Sequence, residues 1–170
     1  KLNQLYAVVS HSGRAINRAE DARRLLKEIC DIAVRDGGFD SAWVATVVGA
    51  SVKAVYQAGE GGRFIDELDV RQEDSSPGLG PTAQAIKIGR VACHNDIHND
   101  AVFQPWKSFI EETGVRSVAS LPIRLQDESA CAIVLYSRAS NYIDPEMAEL
   151  LQKLAEDISQ GLAHLKAETG

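Results

Sequence analysis

Gly78-Leu79-Gly80-Pro81-Thr82-Ala83-Gln84-Ala85-Ile86, followed by Arg90-Val91-Ala92-Cys93-His94-Asn95-Asp96-Ile97 and then Phe103-Gln104-Pro105-Trp106, decides how this chain is built. The glycines let the backbone turn tightly. Pro81 suits the first turn of a helix, where its missing N–H has no partner to lose. That helix is expected to run to Ile88 and stop at Gly89. Arg90 to His94 then reads as a short strand, and Asn95-Asp96 as a turn. Asn99 to Thr113 is partly helical, carries aromatic residues and is closed by Gly114.

Upstream, residues 2–19 read as a helix with Leu5, Val9, Ser12, Ile16 and Ala19 in a heptad-like stripe. A second helix over about 21–36 presents Leu25, Leu26, Ile29, Ile32 and Ala33, and Gly37-Gly38 ends it. Ser41 to Val48 is rich in β-formers, and Ser51 to Ala58 returns after the break at Gly49-Ala50. So short a link predicts an antiparallel hairpin. Alternation puts Val52, Ala54, Tyr56 and Ala58 on one face of the return strand. Residues 59–80 read as a long loop with one helical turn around Ile65 to Leu68. A loop of that length inside a compact domain is more often functional than accidental.

Downstream, Ser117 to Leu125 and Ser129 to Tyr136 form a second hairpin across Gln126-Asp127-Glu128. Asp144 is an N-cap, Pro145 opens the last helix, and that helix runs to about residue 167. Two hairpins with flanking helices predict an α+β fold on an antiparallel sheet.

The 170 residues suit one domain, and 45% hydrophobic residues suffice for a packed core. No apolar run reaches the roughly 20 residues that a bilayer requires. The net charge of −6 carries no Lys/Arg cluster, which disfavours nucleic acid. Cys30, Cys93 and Cys131 are odd in number and widely spaced, so reduced thiols in a cytoplasmic protein are expected, not a disulfide framework. The chain starts without Met and ends on a helical pattern, as expected of a module from a longer protein.

The element order resembles the GAF domain along nearly the whole chain. The resemblance rests on Trp43, Gly80-Pro81-Thr82, Asn95-Asp96-Ile97, the Phe103/Trp106 pair and Ser120-Leu121-Pro122-Ile123. These motifs are individually weak and jointly specific. They resemble a variant found in bacterial-type sensors that carry cyclic-dinucleotide enzymes or histidine kinases. The resemblance implies a single GAF-like domain over 1–170. Its central sheet has five or six antiparallel strands, its terminal helices lie on one face, and loops and short helices roof a pocket on the other. It further implies a non-catalytic sensory or regulatory role that controls an output domain outside these residues. The cofactor is unknown.

Candidate pocket residues are Phe64, Phe103, Trp106 and Phe109 from the roof, with Trp43, Tyr56, Ser117 and Tyr136 from the sheet. Thr82 and Asp96 join them as polar contacts. A ligand cage and plain packing share this apolar lining, and both readings stand. Cys93, His94 and His98, near Asp96 and Asp100, are of metal-ligand type, but their spacing matches no strong motif and a solvated turn outweighs a metal site. Bilin attachment is not expected: in bilin-binding relatives the attaching Cys lies on a helix after this strand. The rival enzyme reading is a thiol-based reductase of free methionine sulfoxide, as in another branch of the family. It lacks a cysteine in Gly78 to Ala83. A cyclic-GMP signature cannot be threaded. A ligand-free dimerisation module is the third reading.

The last helix repeats Met147, Leu151, Leu154, Ile158, Gly161 and Leu165 at spacings of 4, 3, 4, 3 and 4. With Leu5, Val9 and Ile16 this stripe predicts a homodimer through a four-helix bundle. One-sided packing on the sheet is the alternative.

Overall fold

A computed structural model describes residues 2–48, 51–59, 81–125 and 130–169. The Gly49-Ala50 and Gln126–Glu128 turns, most of the long loop, its helical turn and Gly78 to Gly80 lie outside the described residues.

Two helices open the chain, α1 (Leu2–Arg18) and α2 (Ala22–Gly37). Asp21 caps α2 by accepting from the Arg23 N–H at 2.8 Å, and Gly38 ends it at φ 73°, a left-handed angle suited to glycine. Strands β1 (Ser41–Val48) and β2 (Ser51–Gly59) follow, then α3 (Pro81–Ile88) and β3 (Ala92–His94). Two 3₁₀ turns, Ile97–Asn99 and Ala101–Trp106, lead into α4 (Lys107–Thr113). Strands β4 (Ser117–Arg124) and β5 (Ala130–Ser137) precede the long α5 (Pro145–Thr169).

The five strands form one sheet in the order β2-β1-β5-β4-β3, every neighbour antiparallel. This is the expected α+β fold. β3 is shorter than Arg90 to His94 because the Val91 N–H donates to Gln152 Oε1 on α5 at 2.8 Å instead of to a strand. β2 departs from simple alternation. Its register against β1 shifts between Val44 and Ala45: Tyr56 lies opposite Val44, but Ala54 lies opposite Ala45, with Val55 unmatched. Such a bulge reverses the face of the residues beyond it. Tyr56 and Ala58 lie on one side of this shift and Val52 and Ala54 on the other, so simple alternation does not carry along the whole strand.

Helices cover one face of the sheet. α2 packs on β1 and β2, α5 packs on β4, and α1 lies across both helices. The core here joins Val44, Leu121, Ile133 and Leu135 to Leu25, Ile29, Met147, Leu151 and Ile158. Much of the expected dimer stripe packs inside the chain. Leu5, Met147, Leu151, Leu154 and Ile158 are all at most 2% exposed and belong to the chain's own core. On α1 the buried positions are Leu5, Val8, Ser12 and Ala15, while Val9 and Ile16 are half-buried, as is Leu165 on α5. The most buried positions of the stripe pack on the chain's own helices and sheet, and its remaining positions stay part-exposed on α1 and α5. A long helix lying on a sheet needs the same apolar stripe as one pairing with a second copy.

Gly161 fixes how closely α1 and α5 approach. A Cβ built there would lie 2.5 Å from Ile16 Cγ2. Gly161→Val is expected to lower stability by about 1–3 kcal/mol through overpacking, read as a fall in the urea midpoint. Ile16→Ala in the same chain should restore part of the loss. Additive losses in the double variant would contradict this contact.

Candidate functional site

The opposite face of the sheet carries a second apolar cluster. β1 supplies Trp43 and Ala45, β5 supplies Ala132, Val134 and Tyr136, and β4 supplies Val118. Their convergence follows from register: Trp43 pairs with Val134, and Val118 pairs with Tyr136. Ile97, Phe103, Trp106, Ile110 and Val115 cover them, with Ile86 of α3 alongside.

Local polar bonds set the path of this roof. The Ile97 N–H donates to Arg116 O at 2.9 Å, tying the first turn to the start of β4. Asp100 caps the second turn, accepting from the Val102 N–H at 3.0 Å. Gly114, at φ 77°, ends α4 with its N–H on Ile110 O and redirects the chain into β4. Asn95 fastens the roof to the segment before α5. Its side-chain amide donates to Ile143 O at 2.8 Å, and its Oδ1 accepts from the Ile143 N–H at 2.9 Å.

Inside the cluster the rings meet edge to face: His94 with Phe103 at 5.1 Å, and Phe103 with Trp106 at 6.2 Å. The polar groups are few. Trp43 and Trp106 are 1% and 6% exposed, and neither indole N–H has a hydrogen-bond partner among the described residues. Burial pushes the Tyr136 phenol well above its ordinary pKa, and the neighbouring Trp43 indole offsets part of that rise without reaching hydrogen-bond geometry. Thr82 Oγ1 lies 3.3 Å from Ser120 Oγ, which joins α3 to β4. The face offers aromatic surface, hydroxyls and indole donors.

The structure brings Trp43, Phe103, Trp106 and Tyr136 together, with Thr82 at the edge. Phe64 lies outside the described residues, and so does the Phe109 side chain. Tyr56 is corrected to the helix face, where its Oη donates to Asp31 Oδ1 at 2.7 Å. Ser117 is corrected too. It shares strand parity with Ala119 and Leu121 of the helix-side core, and its Oγ donates toward the Asn95 and Ala139 carbonyls at 3.2 and 2.7 Å. Asp96 is exposed and holds a local turn, accepting from Asn99 Nδ2 at 2.9 Å.

The Cys93-His94-His98 set does not converge. Cys93 packs against the helix-side core, His94 meets Phe103 on the roof side, and His98 is exposed. Successive strand residues must diverge in this way. His94 Nδ1 instead faces Asp100 Oδ2 at 3.4 Å. Among the described residues no group of three His, Cys, Asp or Glu side chains could hold a metal ion. The three thiols belong to the helix side, Cys30 and Cys131 within that core and Cys93 against it. Burial pushes Cys93 up to about 11 and Cys131 up to about 12, and it raises Cys30 as well.

Sequence reasoning missed Ile97, Ile110, Val115, Val118 and Val134, which line the cluster beside the aromatics. Strand parity from Trp43 would have found Val134 once the β1–β5 pairing was known. It also missed that Asn95 acts through its side chain.

The fold and this site define an α+β domain whose sheet is covered by helices behind and an aromatic roof in front. A profile of the GAF domain family matches residues 19–163, and the chain belongs to that family. The chain is similar in fold to the free methionine-R-sulfoxide reductase of Neisseria meningitidis, solved with its substrate. The identity is 13%, the coverage 98% of this chain and 92% of that one, and the TM-score 0.75. It is also similar to the GAF domain of a phosphoenolpyruvate-protein phosphotransferase from Coxiella burnetii, at 15% identity, 99% and 97% coverage and TM-score 0.74. A phycoerythrobilin-bound GAF domain from a cyanobacterial phytochrome matches at 15% identity, full coverage of both chains and TM-score 0.72. At these identities the likeness concerns the fold. No curated protein matches the sequence. Among the described residues no helix is long and apolar enough to cross a membrane.

Two consequences can be measured. Cys93, titrating near 11, should stay a thiol at neutral pH. Its alkylation by iodoacetamide in the folded protein should be slow near pH 7 and rise about tenfold per pH unit toward that value. Rapid labelling at neutral pH would contradict its placement. Asn95→Ala removes both bonds to the Ile143 backbone and should lower stability by about 1–3 kcal/mol in denaturant titration. An unchanged midpoint would mean the clip contributes nothing.

Proposed function

We propose that this GAF domain is a non-catalytic sensory module that binds a small molecule between sheet and roof and thereby regulates an attached output domain. One observation carries the reading. Trp106 buries an indole N–H with no hydrogen-bond partner among the described residues, and Trp43 buries another whose neighbouring oxygen, the Tyr136 hydroxyl, is outside hydrogen-bond geometry, in one aromatic cluster. A buried donor left unpaired costs about 1–3 kcal/mol, so the Trp106 indole, with the poorly placed Trp43 indole beside it, favours an occupant that supplies acceptors. The expected ligand is flat or apolar over most of its surface, to match the rings, and carries carbonyl, carboxylate or similar oxygens. Phe103, His94 and Tyr136 complete the lining.

The signal leaves through the sheet. β4 and β5 carry roof-side residues on one face, Val118, Val134 and Tyr136, and helix-side residues on the other, Leu121, Ile133 and Leu135. A displacement of the roof is thus felt by the strands that support α5. Occupancy that shifts β4 or β5 moves α5 and α1 together, since Gly161 and Ile16 leave no slack between them.

The chain's similarity in fold to a methionine sulfoxide reductase keeps the thiol-enzyme reading in view. The placement of the cysteines weighs against it. All three lie on the helix side with raised pKa values, whereas thiol catalysis needs an accessible thiolate and a resolving partner.

Native mass spectrometry of the purified protein tests the proposal. A retained small molecule is expected in the parent protein and should be lost in Trp106→Ala. Trp106→Phe, which keeps an aromatic ring but removes the N–H, should weaken retention about tenfold. No bound mass, together with no thermal stabilisation by any member of a metabolite panel, would overturn the reading. Turnover of free methionine sulfoxide with dithiothreitol, abolished by Cys93→Ser, would replace it with the enzyme.

A further inference from the structure

A cavity of about 390 Å³ opens at the far end of β4, sharing only Ile86 with the roofed cluster. It exists because β3 is short. Three residues of β3 pair with Val118 to Ser120, so β4 from Leu121 to Arg124 has no strand on that side among the described residues. The Arg124 N–H turns to this edge and donates to Ser159 Oγ of α5 at 3.1 Å. Pro122, two residues earlier, has no N–H to offer there, so the edge resists addition of another strand. The gap is bounded by the end of α3, the edge of β4 and one side of α5.

Its charge pattern differs from the rest of an acidic chain. Arg90 and Arg124 both line the cavity. Gly89, at φ 80°, lets the chain turn out of α3, and a Cβ there would lie 3.2 Å from Arg124 Nη2. The Arg124 guanidinium is therefore laid against the cavity wall. Neither arginine has an ion-pair partner among the described residues. α5 adds donors. Ser159 accepts from the Arg124 N–H and keeps its own proton to give. Gln152 accepts from Val91 through Oε1 and keeps its NH₂. Glu156, between them on α5, adds one carboxylate. Two guanidiniums and one carboxylate match a ligand that pairs a carboxylate with a neighbouring donor.

We propose that this cavity is a second ligand site, for a small organic acid whose carboxylate is held by Arg90 and Arg124 and whose hydroxyl or amino group faces Glu156. The site stands independently of the roofed cluster. An occupant would touch α3 on the roof side and α5 on the helix side across the sheet edge.

Amide-resolved NMR titration with L-lactate and L-serine tests it, with acetate and inorganic phosphate as comparators at matched ionic strength. Saturable shifts at Gly89, Arg124 and Ser159 are expected, with lactate or serine binding more tightly than acetate. Arg124→Gln and Arg90→Gln alter exposed side chains, and each should weaken binding at least about tenfold. Glu156→Gln should erase the preference over acetate. The proposal is overturned if none of the four probes saturates, if binding survives both arginine variants, or if phosphate or acetate binds as tightly as lactate and serine. Shifts confined to the Trp43 and Trp106 indoles would also overturn it.

Discussion

Three adjacent strands, β1, β5 and β4, are apolar on both faces, and this double burial is the constraint from which the other features follow. Val44, Ile133 and Leu121 demand cover on one side, while Trp43, Val134 and Val118 demand it on the other. A sheet solvated on one face would need polar residues at every second position. Here both faces are mostly apolar, with a few serines, such as Ser120, among the larger side chains. Two layers must therefore be built from the remaining chain. The helical ends supply one, and the short turns between β3 and β4 supply the other.

The two layers differ in chemistry. The helix side is mainly aliphatic, built chiefly from leucine, isoleucine, valine and alanine, with the thiols and Phe39 among them. The roof side concentrates aromatic residues and their N–H and O–H groups. Aliphatic packing gives stability without preference for a guest. Aromatic edges with polar tips supply both surface and direction to one.

The roof is held by directional bonds at one end of the sheet, since short turns bury too little to define themselves by packing. Ser117 Oγ reaches the Asn95 and Ala139 carbonyls, and Asn95 grips Ile143 at both its N–H and its C=O. The Arg138 N–H donates to Asp40 Oδ2 at 2.7 Å, and Tyr142 Oη donates to Gly37 O at 3.1 Å. These bonds join the start of the roof, the end of β5 and the end of α2. Ser117 is thus a structural residue that resembled a site residue because a hydroxyl on a strand looks the same in either role. Tyr56 was misplaced for a different reason. The mismatch at Val55 leaves no mark in composition, since it depends on how β2 meets β1.

Periodicity and punctuation alone determined the order of elements in this protein: the helices before Gly38 and after Asp144, the two hairpins and the antiparallel sheet. These are local quantities, set by side-chain spacing, caps and backbone freedom within a few residues. The motif Trp43, Asn95-Asp96-Ile97 and Phe103/Trp106 also carried the family and three of the four aromatic residues of the cluster. Tertiary structure alone decided which partner each stripe meets. The α5 stripe of Met147, Leu151 and Ile158 meets its own sheet, because any apolar face lowers its free energy equally well against a neighbour from the same chain or another. The unpaired indoles and the gap beside Arg124 likewise arise only when distant segments close on one another. A missing acceptor or a missing strand is a property of the assembled surroundings, and no single segment encodes it.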